Sequence, residues 1–157
     1  MLILYRKMIN IISFKTKFGW ITAKEFNKKI YEIKFGKTKN ILESKILNQF
    51  KNNLTKFLNK KVLDIAGTYS IEGNKNQRKV WNELKKIKPG KTKTYKEVAK
   101  KFNFSPRYVG KICGQNKLAL AIPCHRVIRS DGSMGGYSAI GGIKLKKKLL
   151  NFEKNWK

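Results

Sequence analysis

The stretch TYKEVAKKFNFSPRYVGKICG, residues 94–114, decides the fold of this chain. Thr94 is followed three residues later by Glu97, which is the spacing of a capping box at a helix N-terminus. Apolar residues then recur on one side of the predicted helix, as they do in an amphipathic helix that packs on a core. The first half of the stretch therefore predicts a short helix that begins just after Thr94.

The second half of the stretch predicts another short helix after a tight turn. The sequence NFSP breaks the first helix, because Ser105 is a favoured N-cap and Pro106 is a favoured first helical residue. The new helix runs towards Gly114 and opens with Arg107 at its positive end. Two short helices joined by a short turn are typical of a helix-turn-helix, which is a DNA-binding motif.

Downstream of this motif, the sequence predicts a strand, a loop and a closing helix. LALAI, residues 118–122, is apolar and is interpreted as a short strand that Pro123 blocks. RSDGSMGGYS, residues 129–138, predicts a glycine-rich hairpin or loop that would form a wing. GGIKLKKKLLNFEKNWK, residues 141–157, predicts a last helix whose outer face is nearly all lysine.

Upstream of the motif, the hydrophobic period changes from that of strands to that of a helix. Residues 11–37 alternate loosely and predict a small antiparallel sheet with a bend at Phe18-Gly19. Residues 41–58 place apolar side chains on one helical face. The N-terminal part is therefore expected to be a sheet with one helix beside it.

A polar, glycine-bearing stretch, residues 67–76, predicts a boundary between two parts of the chain. Beyond it, apolar residues at helical spacing mark a further helix; they are Val80, Trp81, Leu84 and Ile87. The predicted fold class is α+β. It has a small N-terminal mixed sheet-plus-helix subdomain (1–70) and a C-terminal helical winged helix-turn-helix domain (71–157), which carries DNA binding and the active site.

The composition favours a polyanionic partner. The chain has 157 residues with 37 lysines and arginines against 9 acidic residues, a formal net charge of +28. Basic side chains release counterions from nucleic-acid phosphates, although charge alone does not distinguish DNA, RNA and an anionic membrane. We predict no membrane span and an intracellular, reducing setting, because no apolar run reaches a spanning length and only two cysteines occur.

Cys124 and His125 stand side by side in AIPCHRVIRS, residues 121–130. A cysteine reacts as its thiolate and needs a neighbour that stabilises negative charge, such as a positive imidazole or a helix terminus. Adjacent side chains on a strand point to opposite faces, but a turn after Pro123 would let both face one pocket. From these residues alone, a reactive thiol and a buried cysteine beside a hydrogen-bonded histidine both stay open.

A wider set of motifs carries a family resemblance. IPCHRVI, residues 122–128, resembles the active-site signature of the O6-alkylguanine-DNA alkyltransferases, a family of suicide DNA-repair methyltransferases. NQRKVWNELKKIKPGKTKTYKEVAKKF resembles the first helices of the family's DNA-binding half, and SPRYVGKIC resembles its recognition helix. GGYSAIGGIKLKKKLL resembles its pocket loop and last helix. Residues 76–153 are covered almost continuously, whereas residues 11–37 fit the N-terminal sheet only loosely.

The resemblance implies an activity and a partner. It implies a methylated-DNA–protein-cysteine S-methyltransferase that flips O6-alkylguanine out of duplex DNA and transfers the alkyl group irreversibly to Cys124, in one turnover. No cofactor and no metal is expected. The expected partner is double-stranded DNA, bound in the minor groove with weak sequence preference by a monomer. The expected location is intracellular, on the nucleoid when the protein is bound to DNA.

The resemblance also implies roles around the cysteine. Cys124 would be the nucleophile, and His125 would be its base through a bound water. Glu153 would hold the far side of the imidazole, and Asn116 would fix the turn around the cysteine. Cys113 is interpreted as a packing residue and not as a second nucleophile.

A second group of roles concerns the DNA. Tyr95 would lie near the phosphate of the flipped nucleotide and help to protonate the departing guanine, and Arg107 would enter the base stack. The remaining residues expected to face DNA are Ser105, Tyr108 and Lys111. Those expected to line the guanine pocket are Val127, Tyr137 and Ser138. Tyr108 and Lys111 are bulkier than the small residues that are common in the family's recognition helix.

Three alternatives remain. A non-catalytic, alkyltransferase-like protein that binds lesions would share the fold, but such relatives lack the reactive cysteine. A winged-helix DNA-binding regulator would explain the charge and the helix-turn-helix, but not the sequence Pro123-Cys124-His125-Arg126. A cysteine hydrolase would need an oxyanion site, for which the sequence has no motif.

Overall fold

The computed structural model describes residues 8–156. The N-terminal part is a three-stranded antiparallel sheet in the order β1-β2-β3, with one helix packed against it. Its elements are β1 (Asn10–Thr16), β2 (Gly19–Phe26), β3 (Lys29–Phe35) and α1 (Lys45–Leu58). The predicted antiparallel sheet is confirmed; its first turn is Lys17-Phe18, one residue before the predicted bend at Phe18-Gly19. The helix begins later than residue 41, because Ser44 caps it and Ile41 still pairs with Ile11 beside β1.

The C-terminal part is mainly helical and contains the predicted helix-turn-helix. Its elements are α2 (Lys75–Leu84), β4 (Lys93–Thr94), α3 (Tyr95–Phe102), α4 (Pro106–Gly114), β5 (Val127–Ile128) and α5 (Gly142–Glu153). The two short strands β4 and β5 pair in parallel, Lys93 with Val127 and Thr94 with Ile128. This pairing places the start of the helix-turn-helix beside the segment that follows Cys124. The mixed α+β fold class is therefore confirmed.

The helix boundaries follow the capping chemistry that the sequence predicts. Thr94 accepts a hydrogen bond from the backbone of Glu97, and the Glu97 carboxylate accepts one from the backbone of Thr94 in return. Ser105 caps α4 with one hydrogen bond, which its hydroxyl accepts from the backbone of Tyr108, and Pro106 lies in the first turn. Between the two helices, Asn103 adopts a left-handed conformation that ends α3. These local contacts fix the short turn of the helix-turn-helix.

One apolar core runs through both parts of the described chain. The outer strand β3 is joined to the C-terminal part by backbone hydrogen bonds, from Ile33 to Lys117 and from Ala119 to Ile33. A second bridge joins Ile30 to the segment around Tyr69. The N-terminal sheet therefore supports the segment that leads to Cys124. The division into 1–70 and 71–157 stays a prediction.

The prediction of a strand over residues 118–122 is wrong. This segment makes isolated bridges and then a tight turn, in which Ile122 donates to the carbonyl of Leu118. Leu120 has a φ of 68°, which a strand cannot contain. An apolar run of this length has the same composition in a strand and in a buried turn, so its sequence does not distinguish them.

Residues 129–138 form a loop and not a hairpin of two strands. Its tip is held by a backbone hydrogen bond from Arg129 to Ser133 and by the Asp131 carboxylate, which accepts from Ser133. The described residues contain no helix that is both long and apolar enough to cross a bilayer.

Candidate active site

The site is built around a short 3-10 turn, Cys124–Arg126, that directly follows Pro123. Asn116 holds this turn from the end of α4. Its side-chain amide donates to the carbonyl of Ile122 at 2.9 Å and to the sulfur of Cys124 at 3.2 Å. Its side-chain oxygen accepts from the backbone of Leu118 at 2.8 Å. One side chain thus fixes both ends of the loop before the cysteine and points a donor at the sulfur.

The turn separates Cys124 and His125 into different environments. Cys124 lies at the wall of a cavity, whereas the His125 ring is fully buried behind it. Nε2 of His125 lies 2.9 Å from Oε1 of Glu153, on the last turn of α5. Arg126 also bonds Glu153 through two nitrogens, at 2.9 and 2.8 Å, and its third bond goes to the carbonyl of Ile87 at 2.6 Å. Consecutive residues of the turn therefore share one carboxylate.

The protonation states follow from these contacts. Burial alone would raise the pKa of Glu153, but hydrogen bonds from His125 and Arg126 outweigh it and hold that pKa at about 2. A carboxylate can only accept, so the proton of the His125 ring lies on Nε2. Nδ1 has no hydrogen-bond partner in the described part of the protein. It is the ring nitrogen with a free lone pair.

Burial lowers the pKa of His125, and the attraction of Glu153 only partly offsets this. The imidazole is therefore neutral at physiological pH, which differs from the positive imidazole expected as a possible partner for a thiolate. Burial likewise raises the pKa of Cys124, opposed by the hydrogen bond from Asn116 and the charge of Lys146. Cys124 rests as a thiol beside a neutral base.

Cys124 opens onto a cavity of about 750 Å³ between the helix-turn-helix and the glycine-rich loop. Of the predicted site residues, the cavity brings together Tyr95, Arg107, Cys124, Tyr137 and Ser138. Gly135 and Gly136 bring main chain to its wall, and Tyr95 and Tyr137 bring aromatic rings.

Gly135 and Tyr95 are in close contact at the cavity wall. A Cβ atom at residue 135 would lie 2.9 Å from the Tyr95 ring, and the residue has a φ of +68°. Only glycine meets both requirements without displacement of the ring. Burial raises the pKa of Tyr95 to about 12, so its hydroxyl keeps its proton.

Tyr137 reaches the same cavity from the loop. Its hydroxyl is buried and has no hydrogen-bond partner within residues 8–156. Burial raises the pKa of this hydroxyl as well. A buried hydroxyl at a cavity wall without a partner is a candidate contact for a bound molecule.

Besides Tyr95 on α3, the predicted DNA-facing residues lie on α4 or at its N-cap, but they do not all point to the cavity. Arg107 is exposed at the cavity rim, and Lys111 is exposed outside it. Ser105 caps the helix. Tyr108 packs edge-on against Phe104 at 5.2 Å and is not part of the cavity wall.

Val127 and Cys113 occupy positions that differ in part from those predicted. Val127 is fully buried and is not among the residues that line the cavity, so it lies behind the wall and not at its surface. Cys113 is buried, as expected for a packing residue, but it also lines the cavity with Cys124. Burial raises the pKa of Cys113 to about 12, which keeps it a thiol.

Lys146 and Arg126 are site residues that the sequence alone does not indicate. Lys146 is fully buried on α5 and donates to Tyr95, Val127 and Gly136. The available signal was helical spacing, because Lys146, Leu149 and Glu153 fall on one face of α5. It was hidden in a run of lysines whose other members are exposed.

Comparison with known proteins adds the family. The model of the DNA-binding domain of the 6-O-methylguanine DNA methyltransferases matches residues 75–155. A methylated-DNA--protein-cysteine methyltransferase of Sulfolobus acidocaldarius is 37% identical over 115 residues, which cover 73% of this chain and 72% of that protein. A protein of the same name from Methanothermobacter thermautotrophicus is 47% identical over 92 residues, which cover 59% of this chain and 48% of that protein.

A solved structure gives the same answer for the whole fold. The OGT of Mycobacterium tuberculosis, solved in complex with DNA, matches with a TM-score of 0.81 and 25% identity over 92% of both chains. The match includes the N-terminal sheet, which the sequence resemblance covers only loosely. Together with the family match over the C-terminal part, these relations identify the chain. It belongs to the methylated-DNA--protein-cysteine methyltransferase family of DNA-binding repair enzymes.

Proposed function

We propose that Cys124 accepts the alkyl group of an O6-alkylguanine that is flipped out of duplex DNA, in a single irreversible turnover. The observation that carries this proposal is the position of Cys124. Its sulfur lies at the wall of a cavity beside the helix-turn-helix that is large enough to admit a base, and the adjacent His125 is bonded to a buried carboxylate. A base inside a duplex cannot reach such a buried sulfur, so it must leave the stack.

The first step is removal of the thiol proton. Nδ1 of His125 has the free lone pair, and it takes the proton of Cys124 through one bridging water. The imidazolium that forms is stabilised by Glu153, which is already ionised. Arg126 holds the second oxygen of Glu153, so the carboxylate stays in place while the charge of His125 changes.

The second step is displacement at the alkyl carbon. The thiolate of Cys124 forms a bond to this carbon, and the bond between the carbon and O6 of guanine breaks. The electron pair of the broken bond stays with the guanine, which takes up a proton from the hydroxyl of Tyr95. His125 then releases the proton of the thiol to solvent and Tyr95 regains a proton from solvent, so both side chains end neutral. The product is a thioether, which has no bond that water readily hydrolyses, so the cysteine is not regenerated.

The helix-turn-helix would bring the DNA to this cavity. α4 carries Arg107 at the rim, where its guanidinium can stack in the gap left by the flipped base. We place α4 in the minor groove, as the family resemblance implies, with contacts mainly to the backbone and weak sequence preference. One copy of the chain contains all of these residues, which supports action as a monomer inside the cell on DNA.

The direct test is a mass measurement. The protein is mixed with a duplex that contains O6-methylguanine and is then weighed and sequenced by mass spectrometry. We expect at most one methyl group per protein molecule, and we expect it on Cys124. Cys124→Ser is the matched control, which should bind the duplex and gain nothing. Absence of an adduct on wild-type protein overturns the proposal and favours a protein that only binds lesions.

A second test separates flipping from chemistry. Arg107→Ala should slow methyl transfer from duplex DNA much more than transfer from free O6-benzylguanine, because only the duplex requires flipping. Lys111→Ala, on the same helix but away from the cavity, is the matched control for lost charge. Equal slowing with both substrates would show that Arg107 supports the fold and not the flipping step.

A further inference from the structure

Lys146 lies under the cavity without a charged partner among residues 8–156. Its side chain is fully buried, and none of the ion pairs in this part of the chain includes it. Its nitrogen lies 2.6 Å from the carbonyl of Val127, 3.2 Å from that of Gly136 and 3.3 Å from the hydroxyl of Tyr95. By contrast, the nearby Arg126 is paired with Glu153.

A buried cation without an anion is costly, so its position calls for a reason other than stability. Methionine or leucine would fill the same space on α5 without that cost. The reason must lie in what the ammonium contacts. These contacts are the glycine-rich loop and α3, which both line the cavity beside Cys124, and β5, which lies behind its wall.

The direction of the hydrogen bonds is fixed by the chemistry of the ammonium. An ammonium has three N–H donors and no acceptor, and Lys146 has three oxygen partners. The oxygen of Tyr95 must therefore accept the bond from Lys146. The single proton of that hydroxyl is left to be donated elsewhere, and the cavity is the space that Tyr95 faces.

The ammonium is also the cation whose charge acts on the sulfur. It favours the thiolate of Cys124. Burial lowers the pKa of Lys146, and the two cysteines of the cavity oppose this effect. The other titratable or charged groups that face this site are Tyr95, Lys96, Arg107, Cys113, His125, Arg129, Tyr137 and Glu153. His125 is neutral and Glu153 is neutralised by Arg126, so neither supplies a net positive charge.

We infer that Lys146 is a positioning residue of the transfer reaction: it turns the hydroxyl of Tyr95 into a donor that faces the flipped base, and its charge stabilises the thiolate of Cys124. This inference rests on the proposed function. No bond to Lys146 forms or breaks during transfer. Its proton stays on the ammonium, and the proton given to guanine is that of Tyr95.

The test compares Lys146→Met with Lys148→Met. Both changes remove one lysine charge from the same helix, but Lys148 is exposed. Single-turnover methyl transfer from an O6-methylguanine duplex is followed from neutral to alkaline pH. We expect Lys146→Met to slow transfer on the order of 10-fold or more, and to move the rise of rate with pH to higher pH. Lys148→Met should keep the wild-type profile.

A structural role alone would lower stability without a move of the pH profile, so urea unfolding and duplex binding are measured on the same samples. Lys146→Arg keeps the charge, and its rise of rate should remain at the wild-type pH even if its rate falls. An unshifted profile for Lys146→Met overturns the inference. So does a shift of Lys146→Arg as large as that of Lys146→Met.

A double-mutant cycle tests the part that acts through Tyr95. If Lys146 orients this hydroxyl, then Tyr95→Phe should cost less in the Lys146→Met background than in wild type. Full additivity overturns this part. Wild-type protein is run in every assay: if it takes up no methyl group, the proposed function fails, whereas normal transfer by both wild type and Lys146→Met defeats only the role of Lys146.

Discussion

Two buried carboxylates in this protein reach the same pKa by different means. Glu83, at the end of α2, is 4% exposed, and Glu153, at the end of α5, is 1% exposed. Each has a pKa of about 2. Lys101 at 2.7 Å is the closest partner of Glu83, with Lys86 and Lys93 at 3.0 Å.

The partners are what differ. The three lysines around Glu83 are 41–65% exposed, so water and salt reach them. Arg126 and His125 around Glu153 are buried, and Arg126 pairs with no other anion among the described residues. A low carboxylate pKa therefore does not by itself mark a functional site. Glu83 fastens α2 to β4 and α3 at the surface, whereas Glu153 fixes the tautomer of His125, the proposed base beside Cys124.

Replacement of Glu153, whose partners are buried, should have the largest effect on stability. Glu153→Gln leaves Arg126 buried without an anion, and we expect a loss of about 3–5 kcal/mol in the free energy of unfolding. Methyl transfer should fall too, because an amide in place of this carboxylate no longer fixes which nitrogen of His125 carries the proton. Urea unfolding and single-turnover transfer measure the two losses. A stability loss no larger than that of Glu83→Gln would remove the distinction between the clusters.

Acid should weaken both clusters, with a smaller effect than the substitution. Each carboxylate has a pKa of about 2 in the folded protein and an ordinary value of 4.5. Its contribution is therefore complete above pH 4.5 and is lost as the pH falls from 4.5 towards 2. Urea midpoints measured over this range should drop in wild type and drop less in Glu83→Gln. Equal drops in the two proteins would mean that Glu83 does not titrate in this range.

Replacement of Glu83, whose lysine partners are exposed, should lower the free energy of unfolding less. Glu83→Gln removes the anion but leaves Lys86, Lys93 and Lys101 free to turn to solvent. We expect a loss of about 1 kcal/mol in the free energy of unfolding and little change in methyl transfer. Lys93→Met is the matched control, which should lose less because two lysines remain. A transfer defect in Glu83→Gln would show that α2 positions the helix-turn-helix for catalysis.

Salt should have the smallest effect on stability, but it should distinguish the Glu83 cluster from the Glu153 cluster most clearly. Between about 0.1 M and about 1 M salt, the screening length falls from about 10 Å to about 3 Å. The stability difference between wild type and Glu83→Gln should shrink over this range, because its ion pairs reach solvent. The difference for Glu153→Gln should stay constant. A shrinking difference for both would indicate that water enters the Glu153 cluster.

The parts of the fold that could be predicted are those fixed by neighbours in sequence. Thr94 with Glu97, and Ser105 with Pro106, determine helix starts by contacts within one turn, so local sequence was sufficient. Residues 118–122 were predicted wrongly because their turn depends on Asn116 and on the edge of β3, which are tertiary contacts. The same residues in isolation satisfy the pattern of a strand.

The candidate site divides in a similar way. Cys124 and His125 are visible as neighbours, but the bond from His125 to Glu153 spans the chain from the turn to α5. Only the family resemblance suggested it. Lys146 and Arg126 could not be found from composition, because one lysine among many and one arginine beside a histidine are ordinary. Their burial is a property of the packed protein.

The parallel pairing of β4 with β5 also sets the distance between the helix-turn-helix and Cys124. Thr94 begins the helix-turn-helix, and its partner Ile128 follows the cysteine turn, so backbone hydrogen bonds connect the part that would meet DNA with the sulfur. A nucleotide has a fixed length from phosphate to base, and a protein that takes up a flipped base needs a matching length from surface to nucleophile. In this protein the main chain fixes that length. Under the proposed function, side chains on the cavity wall could therefore change to suit different lesions, while the backbone keeps Cys124 at the same depth.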